Sequence, residues 1–237
     1  MTVYRKLALD AAIVLQYGTV NQSTVRGINR ITLPSLMRTK ITSEEMRNSF
    51  SVHDTGGGEH GDFSYGGNMV TGDTLGQDQI RTYLKNNTRF TDARIYLDLT
   101  DFIAPDTATA TAAGDVTGFQ VLSHTPNEAQ RNSTYSFSGV WIINGPYCYF
   151  DAHNSSAYGA IAFVEAGSGQ ATITDSGSKF VTDGFKAGDT IIIEGSTSND
   201  GQYIIDTVAA GVITLTSAYD LTSEAAISGT AIHGGQL

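Results

Sequence analysis

The chain has 237 residues, 40% of them hydrophobic and 16% charged, and a formal net charge of −10 at pH 7. The apolar content is enough for a packed core and argues against a wholly disordered chain. The acidic excess disfavours a protein that holds DNA by neutralising phosphates. The single cysteine, Cys148, excludes an intramolecular disulfide framework and a Cys-cluster metal site. We see no secretory signal and no apolar run of membrane-spanning length, so we expect no membrane partner.

Charge is distributed unevenly along the chain. Residues 1–158 carry 12 basic and 15 acidic groups, whereas residues 159–237 carry 2 basic and 9 acidic groups. The polar segment 152–159 separates these parts. The shift predicts two domains, residues 1–157 and 158–237.

Two alternating segments near the start of the large domain predict a β-hairpin. In residues 45–52 the odd positions are polar and most even positions are apolar, and residues 62–66 alternate in the same way. The intervening segment 53–61 holds four glycines in nine residues. We expect this segment to be a long loop that a neighbouring molecule orders.

The middle of the chain predicts the one helix, over residues 74–86. Thr74 or Asp73 can cap its start, and Ile80, Tyr83 and Leu84 share one face. Residues 93–99 alternate as a strand. Residues 102–117 are rich in Ala, Thr, Pro and Gly and are interpreted as a loop.

A second hairpin is predicted from residues 118–123 and 134–143. Tyr135, Phe137 and Trp141 share one face of the second segment, and small polar residues occupy the other face. Strict alternation of this kind means that one face of the sheet packs and the other contacts water.

The C-terminal region is predicted to be all β. Short β-branched runs at 171–174, 190–194, 202–206 and 212–216 are separated by turn signals at 187–189, 199–201 and 209–211. Strands at this spacing predict a small sandwich or barrel.

The segment 53–60 invites a catalytic or metal-binding interpretation. Imidazole and carboxylate groups suit zinc or iron, but a glycine-rich loop supplies neither fixed geometry nor supporting partners. Asp54-Thr55-Gly56 matches the tripeptide of aspartic proteases, whose chemistry needs two such carboxylates in apolar surroundings. We favour a polar hairpin tip, and predict no metal and no cofactor.

Cys148 is the remaining candidate nucleophile, with His124 or His153 as its base. A lone cysteine between two tyrosines is more often a small core residue. Motifs for a nucleophile elbow, a phosphate-binding loop and a zinc protease are also missing from the sequence. We therefore predict no catalytic residues and a chain that is not an enzyme.

The order of these elements resembles the tail tube (major tail) proteins of long-tailed bacteriophages. The resemblance covers about residues 1–155 and rests on Ile41-Thr-Ser-Glu-Glu-Met46, Tyr65-Gly-Gly-Asn-Met-Val-Thr71, Gln79-Ile-Arg-Thr-Tyr-Leu84, Gly118-Phe-Gln-Val-Leu-Ser123 and Tyr135-Ser-Phe-Ser-Gly-Val-Trp141. The C-terminal region is similar to small β modules appended to phage structural proteins. Segment 21–40 is longer and more basic than the family leads us to expect, so its role stays open.

The resemblance implies a mainly β fold with one α-helix, made of a tail-tube-type sandwich or barrel domain and a small all-β outer domain. It implies hexameric rings, each subunit giving four strands to an inner barrel, stacked into a tube that conducts double-stranded DNA without binding it specifically. It further implies tail terminator, tape-measure and baseplate proteins as partners. The location would be the virion tail, assembled in the host bacterial cytoplasm, and the projecting outer domain favours a non-contractile tail.

Under this resemblance, the alternating segments assign residues to the channel and to the core. The residues expected to line the DNA channel are Glu45, Arg47, Ser49, Ser51, Asp62, Ser64, Thr134, Ser136 and Ser138. The residues expected to face the core are Met46, Phe50, Phe63, Tyr65, Phe137 and Trp141. The residues expected to contact an adjacent ring are His53, Asp54, Gly57, Glu59 and His60.

Two other functions remain open. A phage adhesin or capsid-decorating protein would use the same β modules for binding rather than conduction, as a trimer or monomer. An uncharacterised hydrolase is the third possibility, which the missing motifs disfavour.

Overall fold

The computed structural model describes residues 12–33, 36–43, 52–60, 62–97, 101–127, 135–157 and 160–236. The chain forms two compact units. The first unit takes in residues 1–24, 90–118 and 144–237, and the second takes in residues 25–89 and 119–143. The secondary structure is mainly β, which confirms the predicted fold class.

Nineteen strands and two helices occur in the described residues. In chain order the first of them are β1 (Ala12–Leu15), β2 (Ser23–Thr24), β3 (Ile28–Thr32), β4 (Leu36–Ser43), β5 (Val52–His60), β6 (Phe63–Asn68), α1 (Gln77–Asn86), β7 (Arg89–Phe90), β8 (Arg94–Tyr96), β9 (Phe102–Pro105) and α2 (Thr107–Ala113). The others are β10 (Gly118–Pro126), β11 (Ser136–Asn144), β12 (Tyr147–Ala157), β13 (Ile161–Val164), β14 (Thr172–Asp175), β15 (Thr190–Glu194), β16 (Gly201–Ala209), β17 (Val212–Leu215), β18 (Glu224–Ile227) and β19 (Ala231–Gln236).

The first unit is built on a twelve-stranded sheet with the order β18-β13-β14-β17-β16-β15-β19-β12-β9-β8-β1-β2. One cluster of buried side chains in this unit comes entirely from residues 161–232, and includes Phe163, Ile173, Phe180 and Ile213. The C-terminal region therefore has its own hydrophobic core. The boundary predicted at residues 157 and 158 stays a prediction.

The strands predicted in the C-terminal region are present as β14, β15, β16 and β17. Their β-branched runs lie between turns, as the sequence indicated. Three further strands, β13, β18 and β19, complete this part of the sheet. β18 and β19 escape the sequence pattern because their runs are short and rich in Ala and Gly, which have low β propensity, and β13 is only four residues long.

The predicted loop at 102–117 is wrong for most of its length, because the segment forms β9 and α2. The Asp106 side chain caps α2 by accepting a hydrogen bond from the Thr109 N–H at 2.9 Å. Gly114 ends the helix with φ of +73°, a left-handed conformation that favours glycine. Alanine, the best helix former, occupies much of the interval between these caps.

The second unit is built on a five-stranded sheet with the order β3-β6-β11-β10-β7. β10 and β11 are neighbours, which confirms the second predicted hairpin. β6 lies between β3 and β11, so both of its sides are occupied and the predicted pairing of 62–66 with 45–52 is wrong. Alternation fixes which face each residue takes, but it does not identify the partner of a strand.

The predicted helix is present as α1, starting three residues later than expected. Asp73 supports its start, since its carboxylate accepts the N–H of Gln77 at 2.9 Å. The Gln77 amide in turn donates to the carbonyls of Arg26 at 2.7 Å and Asn68 at 3.0 Å. Ile80 and Tyr83 are buried, as the periodicity predicted.

Candidate functional site

The two faces of the five-stranded sheet differ in chemistry. Along β11 every second residue is buried, and Phe137 and Trp141 are on the buried side. In β6, Phe63 and Tyr65 are buried in the same way. Trp141 pairs with Phe63 in the antiparallel register, so the aromatic side chains of both strands share one face.

The buried face is an aromatic cluster. The ring of Trp141 lies 5.6 Å from that of Phe63, 5.5 Å from that of Tyr65 and 5.7 Å from that of Phe119, between centroids. Tyr65 also packs edge-on against Phe137 at 6.0 Å. The prediction that Phe63, Tyr65, Phe137 and Trp141 face the core is confirmed.

The alternation predicts that Tyr135 shares a face with Phe137 and Trp141, although Tyr135 is not among the predicted core residues. It immediately precedes β11 and is 41% exposed, so the aromatic cluster does not cover it. Met46 and Phe50, the other predicted core residues, lie outside the described residues.

His124 is a titratable group held inside the aromatic cluster. Its Nδ1 lies 2.9 Å from the Tyr65 hydroxyl, and its Nε2 is buried without a hydrogen-bond partner in the described part of the chain. Burial, with a smaller effect from the positive charge of Arg81, lowers the pKa of His124 to about 4. The imidazole is therefore neutral at physiological pH.

The opposite face carries small polar side chains around Ser136 and Ser138, and the apolar side chains of Val140 and Ile142 further along β11. Ser136 pairs with Asn68, and Ser138 pairs with Gly66. Asn127 joins the two serines, because its Nδ2 donates to Ser136 Oγ at 2.9 Å and its Oδ1 accepts from Ser138 Oγ at 3.4 Å. This face is half-exposed and has no aromatic side chain on β6 or β11.

The structure brings together three of the predicted channel residues, namely Ser64, Ser136 and Ser138. Asp62 is exposed just before β6. The remaining predicted channel residues, which lie outside the described residues, are Glu45, Arg47, Ser49, Ser51 and Thr134. Whether any of them faces a channel stays a prediction.

Sequence reasoning missed the contribution of β3 to this face. Arg30 pairs with Gly66, and Thr32 pairs with Ser64, so both β3 residues share the face of the serines. The sequence does carry a signal for β3, because Ile28 and Ile31 lie on its apolar side. A bulge between residues 28 and 30 shifts the alternation by one residue and hides it.

The segment 53–60, predicted as a loop, is a strand. Residues 52–60 form β5, which pairs with β4 in a two-stranded sheet from Leu36↔His60 to Ser43↔Val52. The predicted inter-ring residues His53, Asp54, Gly57, Glu59 and His60 all lie on this strand. Its glycine content made a loop the simpler interpretation, but an adjacent strand supplies the ordering partner that the segment needs.

The first unit contains a partly buried ion pair. Arg94 is paired with Glu194, and its guanidinium is stacked between the ring of Tyr17, at 3.4 Å, and that of Phe102, at 4.3 Å. His233 Nε2 lies 3.3 Å from the second Glu194 oxygen. Burial opposes the charge on Glu194, but the His233 hydrogen bond and the Arg94 charge outweigh it and lower its pKa to about 2.

This pair borders a cavity of about 470 Å³ lined also by Asp92, Asp200 and Gln202. This cluster links four strands of the sheet, because each of its members lies on a different strand: Arg94, Phe102, Glu194 and His233. The charged groups already satisfy one another, which favours a structural role over a catalytic one.

Cys148 is fully buried in the first unit. Its thiol lies 3.3 Å from Asp106 Oδ2, which also accepts a hydrogen bond from Thr190 Oγ1 at 3.0 Å. Burial and the nearby Asp106 carboxylate raise the pKa of the thiol. A thiol in this state is a poor nucleophile, so the core interpretation is favoured.

Two kinds of feature are absent from the described residues. No three His, Cys, Asp or Glu side chains are grouped there so that they could hold a metal ion. No helix in that part of the chain has the length and apolar character needed to cross a membrane.

Comparison with known proteins gives matches in structure only. No family model matches the sequence, and no curated protein matches it. The fold is similar to a chain in the virion of a native gene transfer agent, with 12% identity and a TM-score of 0.44 over 61% of this chain and 98% of that one. It is also similar to a chain in the tail of an empty gene transfer agent particle with C6 symmetry, with 16% identity, a TM-score of 0.42, and coverage of 60% and 96%. A third match is to the sixfold-symmetrised baseplate of the anti-feeding prophage, with 9% identity, a TM-score of 0.41, and coverage of 62% and 97%.

Proposed function

We propose that this chain is a structural, non-enzymatic subunit of a long phage tail, and that its copies form stacked hexameric rings of a tube that conducts double-stranded DNA. The observation that carries the proposal is the sheet of the second unit. One of its faces is covered by aromatic side chains, and the other carries serine, threonine and glycine together with Arg30, Val140 and Ile142. The sequence resemblance supplies the assembly in which such a face would line a channel.

The small polar face suits a conduit. Duplex DNA carries about one negative charge per 1.7 Å of its axis, so a surface dense in Lys and Arg would bind what it must release. Side chains such as Ser64, Ser136 and Ser138 offer little charge and little bulk. A face of this kind lets a duplex pass without specific contacts.

The edges of the sheet supply the sites for ring closure. β3 and β7 are the outermost strands of the five-stranded sheet, and an outer strand leaves backbone hydrogen-bonding groups without a partner in its own sheet. Pairing between neighbouring copies would satisfy these groups and close the sheets into a continuous barrel. Hexameric closure is taken from the resemblance.

The two-stranded sheet of β4 and β5 is the proposed contact between rings. Among the described strands, β4 and β5 pair only with each other, so they form an arm separate from the five-stranded sheet. An arm of this kind can reach a neighbouring molecule without disturbing the barrel. The proposed inter-ring role therefore belongs to a hairpin rather than to a loop.

The C-terminal region, with its own core, would project outward from the tube. A sheath would cover such a surface in a contractile tail, so we propose a non-contractile, siphovirus-type tail. The proposed partners are the tail terminator, tape-measure and baseplate proteins, with the virion tail as the location and the host bacterial cytoplasm as the place of assembly.

Negative-stain electron microscopy of the concentrated, aged protein tests this proposal. Hollow tubes or sixfold rings are the expected result. Stable trimers or isolated knobs would contradict it and favour an adhesin or capsid-decorating protein.

A further inference from the structure

We infer that Arg30 contacts the phosphates of DNA in the channel, as the one cation that β3, β6 and β11 place on their small polar face. This inference rests on the proposed function, since it requires that this face line the channel. It identifies which chemical group of the DNA the subunit contacts and which side chain makes the contact.

The register places Arg30 in a row with Gly66 and Ser138 across the three strands β3, β6 and β11. The guanidinium lies over Gly66, since a Cβ added there would meet Arg30 Nη2 at 3.2 Å and Nε at 3.6 Å. A side chain at position 66 would displace the guanidinium from this place. Glycine therefore lets the arginine lie along the face.

Arg30 is an exposed residue on this face. Within the described part of the chain it makes no ion pair, unlike Arg81 with Asp78 and Arg94 with Glu194. Thr32 and Ser64 beside it are uncharged, so neither of these neighbours neutralises it. An exposed guanidinium in these surroundings presents a planar set of N–H donors that matches a phosphate.

The charge distribution supports this role. Residues 25–89 and 119–143, which make up the second unit, carry 9 basic and 8 acidic groups, a net charge of +1. The first unit carries 5 basic and 16 acidic groups, a net charge of −11. The acidity that repels DNA is concentrated in the first unit. A single cation per subunit on a near-neutral unit gives contacts that are individually weak and easily broken by salt.

The test uses assembled tubes of the full chain and a short fluorescein-labelled DNA duplex, followed by fluorescence anisotropy over a range of salt concentrations. Arg30→Gln should make the slope of log affinity against log salt shallower by about 0.9 for each phosphate interaction that the substitution removes. Arg30→Lys keeps the charge and should largely restore the slope. Lys85→Gln is the matched control, because it removes one exposed positive charge from the last turn of α1 and should leave the slope unchanged.

Equal slopes for Arg30→Gln and Lys85→Gln would overturn the inference, as would wild-type tubes that bind no duplex at low salt. Loss of tubes in Arg30→Gln alone would show that Arg30 serves subunit packing, and would also overturn it. Electron microscopy of each sample before DNA is added separates the two proposals. Wild-type protein that forms stable trimers or isolated knobs, with neither tubes nor sixfold rings, refutes the proposed function, and the inference falls with it.

Discussion

At the scale of single residues, His124 makes the stability of the aromatic core in the second unit depend on pH. Its imidazole contacts Tyr65 and lies among aromatic rings, and its burial there disfavours a positive charge. The place of His124 in this core could not be predicted from the sequence, because it follows a segment whose alternation is irregular at Leu122 and Ser123. By contrast, Phe63 and Trp141 could be placed from alternation alone.

We predict that the second unit loses stability as the pH falls from 6.5 to about 4. In the unfolded chain His124 takes up a proton near its ordinary pKa of 6.5, whereas in the folded protein it does so only near 4. The unfolded state therefore binds more protons between these values, and the free energy of unfolding decreases by roughly 3 kcal/mol across the window.

Urea unfolding at several pH values, followed by the fluorescence of Trp141, measures this effect. Trp141 is the single tryptophan and lies in the same core, so it reports on the second unit. His124→Gln should abolish the His124 contribution, and acidic groups common to both proteins cancel in the difference. A difference in unfolding free energy that does not change with pH would contradict the prediction.

At the scale of elements, local patterns predicted strands, α1 and the pairing of β10 with β11, but not the partners of β6. The runs at 171–174 and 212–216 are identifiable because β-branched residues lie between turn signals. β6 is identifiable by its alternation, yet its neighbour β3 is not, since pairing is a long-range contact that alternation does not encode. α2 escapes prediction because its alanines and threonines lie among flanking Pro and Gly residues that indicate a loop.

The arm formed by β4 and β5 leads to a prediction about assembly. Deleting residues 53–61 would remove most of one strand of a pair, so the better variant removes both strands. Leu36 and His60 are partners across the arm, and a two-residue Asn-Gly turn can join them once residues 37–59 are deleted. We expect this variant to stay soluble and folded but to form no tubes, because the proposed contact between rings is gone.

Sedimentation and electron microscopy measure the assembly of this variant, and the urea unfolding followed by Trp141 shows whether the five-stranded sheet is intact. Val20→Ser, at an exposed position in the first unit, provides a control that should assemble normally. Tubes of normal length from the shortened variant would show that the arm is not needed between rings.

At the scale of the whole molecule, the mainly β character and the acidic C-terminal part could be predicted from composition and charge. The grouping of residues 1–24 and 90–118 with 144–237 in one unit could not be, because it depends on long-range strand pairing. The proposed contacts between copies are likewise absent from any local pattern. They follow only from edges such as β3 and from the arm, which become visible once the strands are paired.

The face bearing Ser64 and Ser138 is proposed to line a channel, and a helical cryo-electron microscopy reconstruction of assembled tubes tests this central claim most directly. We predict a hollow sixfold tube with these serines and Arg30 at the inner wall, and with Phe137 and Trp141 turned away from it. A tube whose inner wall carries the aromatic face, or one in which the five-stranded sheet lies on the outside, would contradict the claim.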